Sequence, residues 1–284
     1  MEFSNRWELP GWVHNGLTRN TYNKDNIRFD ISCTKLIGSP KIAEFWKTHS
    51  REVVEDSSDR IWSAWGTAVH EIFEQANTSN PDTVMEKRFV HEIEGKLVAA
   101  QIDVYERSNK TLSDIKTCGT YKVMKGDVKD WTAQLNIGAH LMRRSGYEVD
   151  KLQIVALLKD WAGIKAKNDY EYPKIPIKVI PIEMWEDNET LKYIEERLEA
   201  HYAEGPKLCT NEERWYRPGK WAVHKPNTTR AARLLDTEEE AERWGKSQLK
   251  KYTIVERPTV YTRCASFCPF NKWCDQYQES QDGV

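Results

Sequence analysis

The sequence predicts a mixed α/β fold: a small β-sheet with helices on both of its faces. Two observations carry this. Between residues 60 and 158 the apolar pattern runs helix, strand, strand, helix, strand. The strand segments are alternating or branched, whereas the flanking segments repeat every 3.6 residues.

Taken in order, residues 60–77 form the first helix, with Ile61, Trp65, Ala68, Val69, Ile72 and Ala76 on one stripe. Residues 97–105 and 111–116 are strands, and the polar turn at 106–110 makes them a hairpin. A second helix covers 130–144, with Trp131, Leu135, Leu141 and Met142 on its apolar side. Trp62, Trp65 and Trp131 read as helix-packing residues. Residues 151–158 are a buried strand, and 175–184 alternate as another, placed at an edge by Pro176 and Pro181. A helix at 188–202 carries Leu191, Ile194, Leu198 and Tyr202, and one at 236–248 opens with the capping-box spacing Asp236/Glu239. Residues 1–25 read as an N-terminal arm, 26–205 as the core, and 206–284 as a C-terminal extension packed on it.

The 284 residues are 39% hydrophobic and 30% charged, which excludes whole-chain disorder and fibrous repeats. No apolar run approaches the length of a membrane span, and the N-terminus lacks the basic-then-apolar pattern of a secretory signal. A cytoplasmic protein is the expectation. The 42 basic and 44 acidic side chains leave a net charge of −2, which taken alone points away from nucleic acid. Local patterning differs. Arg217, Lys220, Lys225, Arg230 and Arg233 fall in a stretch without an acidic residue, interleaved with Trp221 and preceded by Trp215 and Tyr216. Such a stretch is either a solvated loop or a surface where basic groups hold phosphates and rings stack on bases.

The hairpin carries the chemistry. Residues two apart on a strand share a face, so Asp114 and Lys116 point the same way. Asp103 lies on the partner strand at similar depth, with the register open by one residue. Neighbouring carboxylates repel unless a cation sits between them, and a hard divalent ion such as Mg²⁺ or Mn²⁺ suits oxygen ligands. The alternative is a solvated Asp–Lys pair. His70 falls off the centre of the first helix's apolar stripe, one turn after Gly66, where it either flanks a cleft or stands as a surface histidine.

The ordered set Gly66-Thr-Ala-Val-His70, Gln101-Ile-Asp103, Asp114-Ile-Lys116-Thr117 and Gln134-Leu-Asn-Ile-Gly138 resembles the PD-(D/E)xK nuclease superfamily. More narrowly it resembles the RecB-type exonuclease branch, including phage-encoded members. The resemblance implies a restriction-endonuclease-like core. His70, Asp103, Asp114 and the Ile115 carbonyl would then hold Mg²⁺ or Mn²⁺, with Glu86 as an additional candidate. Lys116 would orient water or stabilise the phosphate, and Gln134 would contact DNA or orient the lysine. Gly138 departs from the family pattern, which has tyrosine there. The implied activity is metal-dependent hydrolysis of DNA by an exonuclease in recombination, repair or phage genome processing. A structure-specific or restriction-like endonuclease and a non-catalytic DNA-binding subunit are the alternatives. Implied partners are DNA ends or single strands and a recombination or single-strand-binding protein, with a homo-oligomer compatible.

Six cysteines without a secretory signal are free thiols or metal ligands before they are disulfides. Cys264, Cys268 and Cys274 fall close together in the sequence. Some relatives in the resembled family carry a [4Fe–4S] cluster on one N-terminal and three C-terminal cysteines, which makes Cys33 the candidate fourth ligand here. Two features depart from that pattern: the gap between Cys264 and Cys268, and Ser39-Pro40 where those relatives have Cys-Pro. Packing thiols or a three-thiolate Zn²⁺ site are the alternatives, and Cys118 and Cys209 read as ordinary thiols.

Overall fold

Six strands form the sheet of the first of two units into which the chain divides, one running to Gly38 and again over Val54–Gly205. The computed structural model describes residues 2–19 and 27–282. The strands are β1 (Ile31–Ser32), β2 (Thr83–Ile93), β3 (Lys96–Glu106), β4 (Thr111–Cys118), β5 (Lys151–Leu158) and β6 (Ile177–Ile182). Their order is β1-β3-β4-β5-β6, with β2 also paired to β3. The pairs β1–β3 and β4–β5 are parallel and the rest antiparallel, so the sheet is mixed.

Strand β3 positions the site. It pairs with β2 along one edge from Lys96 to Glu106, with a break at Asp103. Along the other edge β1 takes only Val98 and Ala99, and β4 takes only Val104, Tyr105 and Glu106. Among the described residues no strand lies beside the stretch between, Ala100 to Asp103, on that edge. Strand β5 fills the centre with buried Leu152, Ile154, Ala156 and Leu158. β6 pairs with β5 alone, the edge position its prolines require.

Six helices matter to the argument: α1 (Cys33–Ile37), α2 (Pro40–His49), α3 (Ile61–Asn77), α4 (Lys129–Arg144), α5 (Asp187–Tyr202) and α6 (Glu238–Gln248). α4 is the core helix. Ten of its residues are buried, and six of them, Trp131, Leu135, Ile137, Ala139, Leu141 and Met142, join the sheet's apolar cluster. Buried Asn136 secures the chain after β6, donating to the Glu183 carbonyl at 2.9 Å and accepting from the Trp185 amide at 2.8 Å. α5 is tied to α1 by Arg197, whose Nε donates to the Leu36 carbonyl at 3.0 Å.

α3 does not pack as its apolar stripe predicts. Of that stripe only Val69 is buried; Ile61, Trp65 and Ile72 are 44, 49 and 63% exposed, and Trp62 is 52% exposed. The helix instead turns Gly66, Val69, His70 and Phe73 inward. A methyl group at Gly66 would lie 3.8 Å from the Thr117 hydroxyl, an ordinary van der Waals distance. The outward rings of Trp62 and Trp65 lie 6.1 Å apart, with the Lys159 ammonium 4.0 Å from the Trp62 ring.

Within the segment read as an N-terminal arm, residues 1 and 20–25 lie outside the described residues. Glu2–Ser4 pairs in parallel with Val54–Asp56, and the buried Asp56 carboxylate accepts from the Ser4 hydroxyl at 2.8 Å and the Arg6 amide at 2.9 Å. A further helix covers Gly11–Thr18.

The second unit comprises Ser39–Val53 and the chain from Pro206 onward. It holds β7 (Tyr216–Arg217), β8 (Lys220–His224), β9 (Ala231–Leu235), β10 (Thr253–Arg257) and β11 (Val260–Tyr261). An antiparallel sheet runs β9-β8-β10, and β7 pairs with β11. The cap of α6 lies one residue later than the sequence pattern placed it. Thr237 accepts from the Glu240 amide at 3.2 Å, and the Glu240 carboxylate accepts from the Asp236 amide at 3.3 Å. Asp236 is free of the capping role because its carboxylate pairs with Lys220. Among the described residues no helix is long and apolar enough to cross a membrane.

Candidate active site at the fork of the hairpin

The β3–β4 ladder ends at Val104↔Ser113. The next pair in that register is Asp103 and Asp114, which settles the one-residue ambiguity left by the spacing. There the strands part, and the Asp103 carboxylate fills the split, accepting from the Ile115 amide at 2.7 Å. Both acids are buried, 8 and 5% exposed, in a cleft of about 560 Å³ that also takes in His70, Glu86, Lys116 and Gln134.

Two groups of side chains meet in this cleft. In the first, His70 Nδ1 lies 2.8 Å from Glu86 Oε1 and 3.7 Å from Asp103 Oδ1, and one ligand atom from each lies within 4.8 Å of the others. In the second, Lys116 Nζ donates to Asp114 Oδ1 at 3.0 Å and to Gln134 Oε1 at 3.1 Å. Asp114 Oδ2 lies 2.8 Å from the same ammonium but outside hydrogen-bond geometry, and it is buried with no hydrogen-bond partner.

Glu86 reaches His70 by an unusual backbone. The flanking pairs Met85↔Val104 and Lys87↔Ile102 put Glu86 across from Asp103, yet that pair is missing from the ladder. Glu86 has φ +46°, a left-handed conformation rare for a residue with a side chain. Gln101 fixes the displaced carboxylate, donating to Glu86 Oε2 at 2.7 Å and accepting from Arg88 Nη2 at 2.8 Å. Sequence reading placed Gln101 in a motif without a role. The available signal was its two-residue spacing from Asp103, which puts both side chains on one strand face.

Electrostatics mark the fork as short of positive charge. The hydrogen bond from Glu86 raises the His70 pKa to about 9, against the opposing effect of burial. Burial, then the Asp114 charge, raises Asp103 to about 7. Asp114 is also raised, by burial, against the pull of Lys116. Lys116 is pulled down by burial but ends above its ordinary value because the Asp114 carboxylate holds its proton. Buried carboxylates that retain protons, beside an unpartnered carboxylate oxygen, suit a divalent cation, which can replace those protons with charge. The donor set of oxygens and one imidazole fits Mg²⁺ or Mn²⁺.

Gly138 lines the cleft on α4, and a methyl group there would meet Leu112 and Ile102 only at ordinary van der Waals distances of 3.6 and 3.8 Å. Arg217, Lys225, Arg230 and Arg233 are exposed in the second unit, where Trp221 is half-buried and Lys220 is neutralised by Asp236. Cys33 lines the cleft wall in the first unit, where its thiol donates to the Gln134 carbonyl at 3.7 Å and burial pushes its pKa up to about 12. A thiol so held stays protonated.

No family model matches the sequence, and no curated protein shows detectable similarity to it. Among solved structures, one similar chain is SSO0001, with 16% identity, 72% of this chain and 89% of that chain covered, and a TM-score of 0.48. Another is a phage-related exonuclease from Haemophilus somnus 129PT, with 13% identity, 67% and 77% covered, and a TM-score of 0.26. Neither likeness is close enough to bear on function.

Proposed function

We propose that the protein is a Mg²⁺- or Mn²⁺-dependent DNA nuclease, acting as an exonuclease on DNA ends or single strands. The observation that carries this reading is the hairpin fork. There His70, Glu86 and Asp103 converge on one side and an Asp114–Lys116–Gln134 chain on the other. Asp114 and the Ile115 carbonyl would complete the oxygen set that holds the cation. When bound, that cation lowers the pKa of a water molecule and neutralises charge on the scissile phosphate.

The protein's own groups do the rest. Asp103 is anchored by the Ile115 amide, so its second oxygen keeps a set direction. Lys116 is held by Asp114 and Gln134, and its ammonium either orients the attacking water or stabilises charge developing on the phosphate. Gln134 acts on the lysine and is a positioning residue. The pair Trp62 and Trp65, with Lys159, lies on the outer face of the helix that supplies His70 and offers a stacking surface for an unpaired base. The exposed basic groups of the second unit provide phosphate contacts. Recombination, repair or phage genome processing is the setting that suits such an activity.

The test is digestion of end-labelled single- and double-stranded DNA with Mn²⁺ and with chelator, alongside covalently closed circles. Metal-dependent loss of end label with closed circles spared is the expected result. Cleavage of circles makes the protein an endonuclease, and binding without cleavage under every condition overturns the nuclease reading.

A further inference from the structure

The cleft extends beyond the fork. From Asp103 it follows β3 back through Gln101 to Ala99, where Phe29, Ser32 and Arg88 also line it. Among the described residues lining the cleft, two carry a lasting positive charge, Lys116 at the fork and Arg88 toward the other end. The ladder fixes the place of Arg88. It pairs with Gln101 across β2 and β3, and Gln101 shares a strand face with Asp103. Two residues along a strand span about 6.6 Å. Arg88 therefore stands about that far along β3 from the acid at the fork. The step is comparable to that between successive phosphates of a nucleic-acid strand.

The guanidinium is held from two directions. Its Nη2 donates to Gln101 Oε1 at 2.8 Å, and its central carbon lies 4.9 Å from the centre of the Phe29 ring. Gln101 in turn donates to Glu86 Oε2 at 2.7 Å. Arg88 is thus tied through one amide to the carboxylate that meets His70. Support of Gln101 requires a single donor, which a neutral amide would supply. A charged, planar fork of donors offers more than that, and its geometry matches the oxygens of a phosphate. Holding the fork in place beforehand also lowers the ordering cost when a ligand arrives.

We propose that Arg88 binds the phosphate next to the scissile one and so sets which bond of the strand lies at the fork. This rests on the nuclease reading, which puts the scissile phosphate beside Lys116. One anchored phosphate leaves the strand free to pivot. A second, one step along β3, fixes its direction through the cleft. Gln101 is the positioning residue between the two ends, since it touches both Arg88 and Glu86.

The experiment digests end-labelled single-stranded oligonucleotides with Mn²⁺, each carrying one uncharged methylphosphonate linkage. The full chain is used as wild type, Arg88→Gln and Arg88→Lys, and the rate at each bond is read from the product ladder. In the wild type, the bond on one side of the methylphosphonate is expected to be cut about 10–100-fold more slowly than in the unmodified strand, the scale of a lost charged hydrogen bond. Arg88→Gln cuts the unmodified strand more slowly by a similar factor, and the methylphosphonate then adds no further loss at that bond. Arg88→Lys keeps the charge without the fork and retains part of this coupling, and it carries the test if Arg88→Gln folds poorly. A methylphosphonate effect of equal size in the wild type and both variants assigns that phosphate to another group and overturns the proposal. So does a slow Arg88→Gln where the wild type shows no methylphosphonate effect, which leaves Arg88 a support for Gln101 alone. In either case the wild type still cuts and the nuclease reading stands, whereas a wild type that cuts no DNA removes both.

Discussion

Glu86 stands across the β2–β3 ladder from Asp103, with a left-handed backbone at φ +46° that interrupts the pairing at that one position. The conformation costs about 1–3 kcal/mol, and strain of this kind persists only where surrounding contacts impose it. Here His70 and Gln101 hold the displaced carboxylate at 2.8 and 2.7 Å. Two facing acids on regular strands would both aim at the same point. The break in the ladder instead lets Glu86 meet the imidazole while Asp103 stays in the split of the hairpin.

Glu86→Gln keeps the shape of the side chain and removes its charge. Mn²⁺ affinity measured by calorimetry is expected to fall about 10–100-fold, the range seen when groups supporting a metal site are lost. The His70 pKa, followed by NMR, should drop from its raised value because the Glu86 carboxylate is the main cause of the rise. An unchanged His70 titration refutes this account of the pair.

Asp114→Ala and Lys116→Ala are expected to abolish DNA cleavage while far-UV circular dichroism stays that of the wild type. For Lys116→Ala the rate loss is at least about 10²–10³-fold, the scale for removing one group that stabilises developing charge. Gln134→Ala frees one side of the ammonium and should lower the rate less than Lys116→Ala does. Cleavage retained in purified Asp114→Ala would falsify the assignment of the fork.

Metal binding at the fork should depend on pH in a definite direction. Asp103, raised to about 7, binds its proton more tightly folded than unfolded, so its contribution to stability is lost as pH rises from the ordinary carboxylate range through about 7. His70, raised to about 9, stabilises the fold below its ordinary pKa, and that contribution is lost as pH rises through about 9. The protein in chelator should therefore melt at progressively lower temperature between about pH 6 and pH 9. Added Mn²⁺ should raise the melting temperature more at the upper end of that window, because the cation no longer competes with protons. Thermal melts with EDTA and with Mn²⁺ measure both trends, and an Mn²⁺ shift that is flat with pH contradicts them.

Trp62→Ala and Trp65→Ala remove exposed rings and should change folding stability by no more than about 0.5 kcal/mol. If the rings stack on bases, each loss weakens single-strand binding by about 1–3 kcal/mol. Fluorescence anisotropy with a labelled oligonucleotide measures this, and wild-type affinity in the double variant removes the stacking role.

Local periodicity made most of the framework readable. The helix over 130–144, the buried strand at 151–158 and the Asp114/Lys116 face follow from repeats of 3.6 or two residues within one segment, and each stands in the structure. The same reasoning failed for the helix at 60–77. Its most apolar stripe is the outer face, and the face turned inward is the one that carries His70 to Glu86 and Asp103. It missed the role of Gln101, since a hydrogen bond to Glu86 on a neighbouring strand leaves no mark on the spacing of either. Nor does spacing show that Cys33 lies in the wall of the cleft, where burial raises the pKa of its thiol.

The sequence by itself thus determined which groups share a face: Asp114 with Lys116, Gln101 with Asp103, Gly66 with His70. Tertiary structure alone decided how those faces meet. The register that sets Asp103 against Asp114 and the break that turns Glu86 toward His70 each join segments distant in the chain. A periodic pattern describes how a segment repeats along itself, whereas a site is made where several segments converge, and only packing of the whole core sets that point.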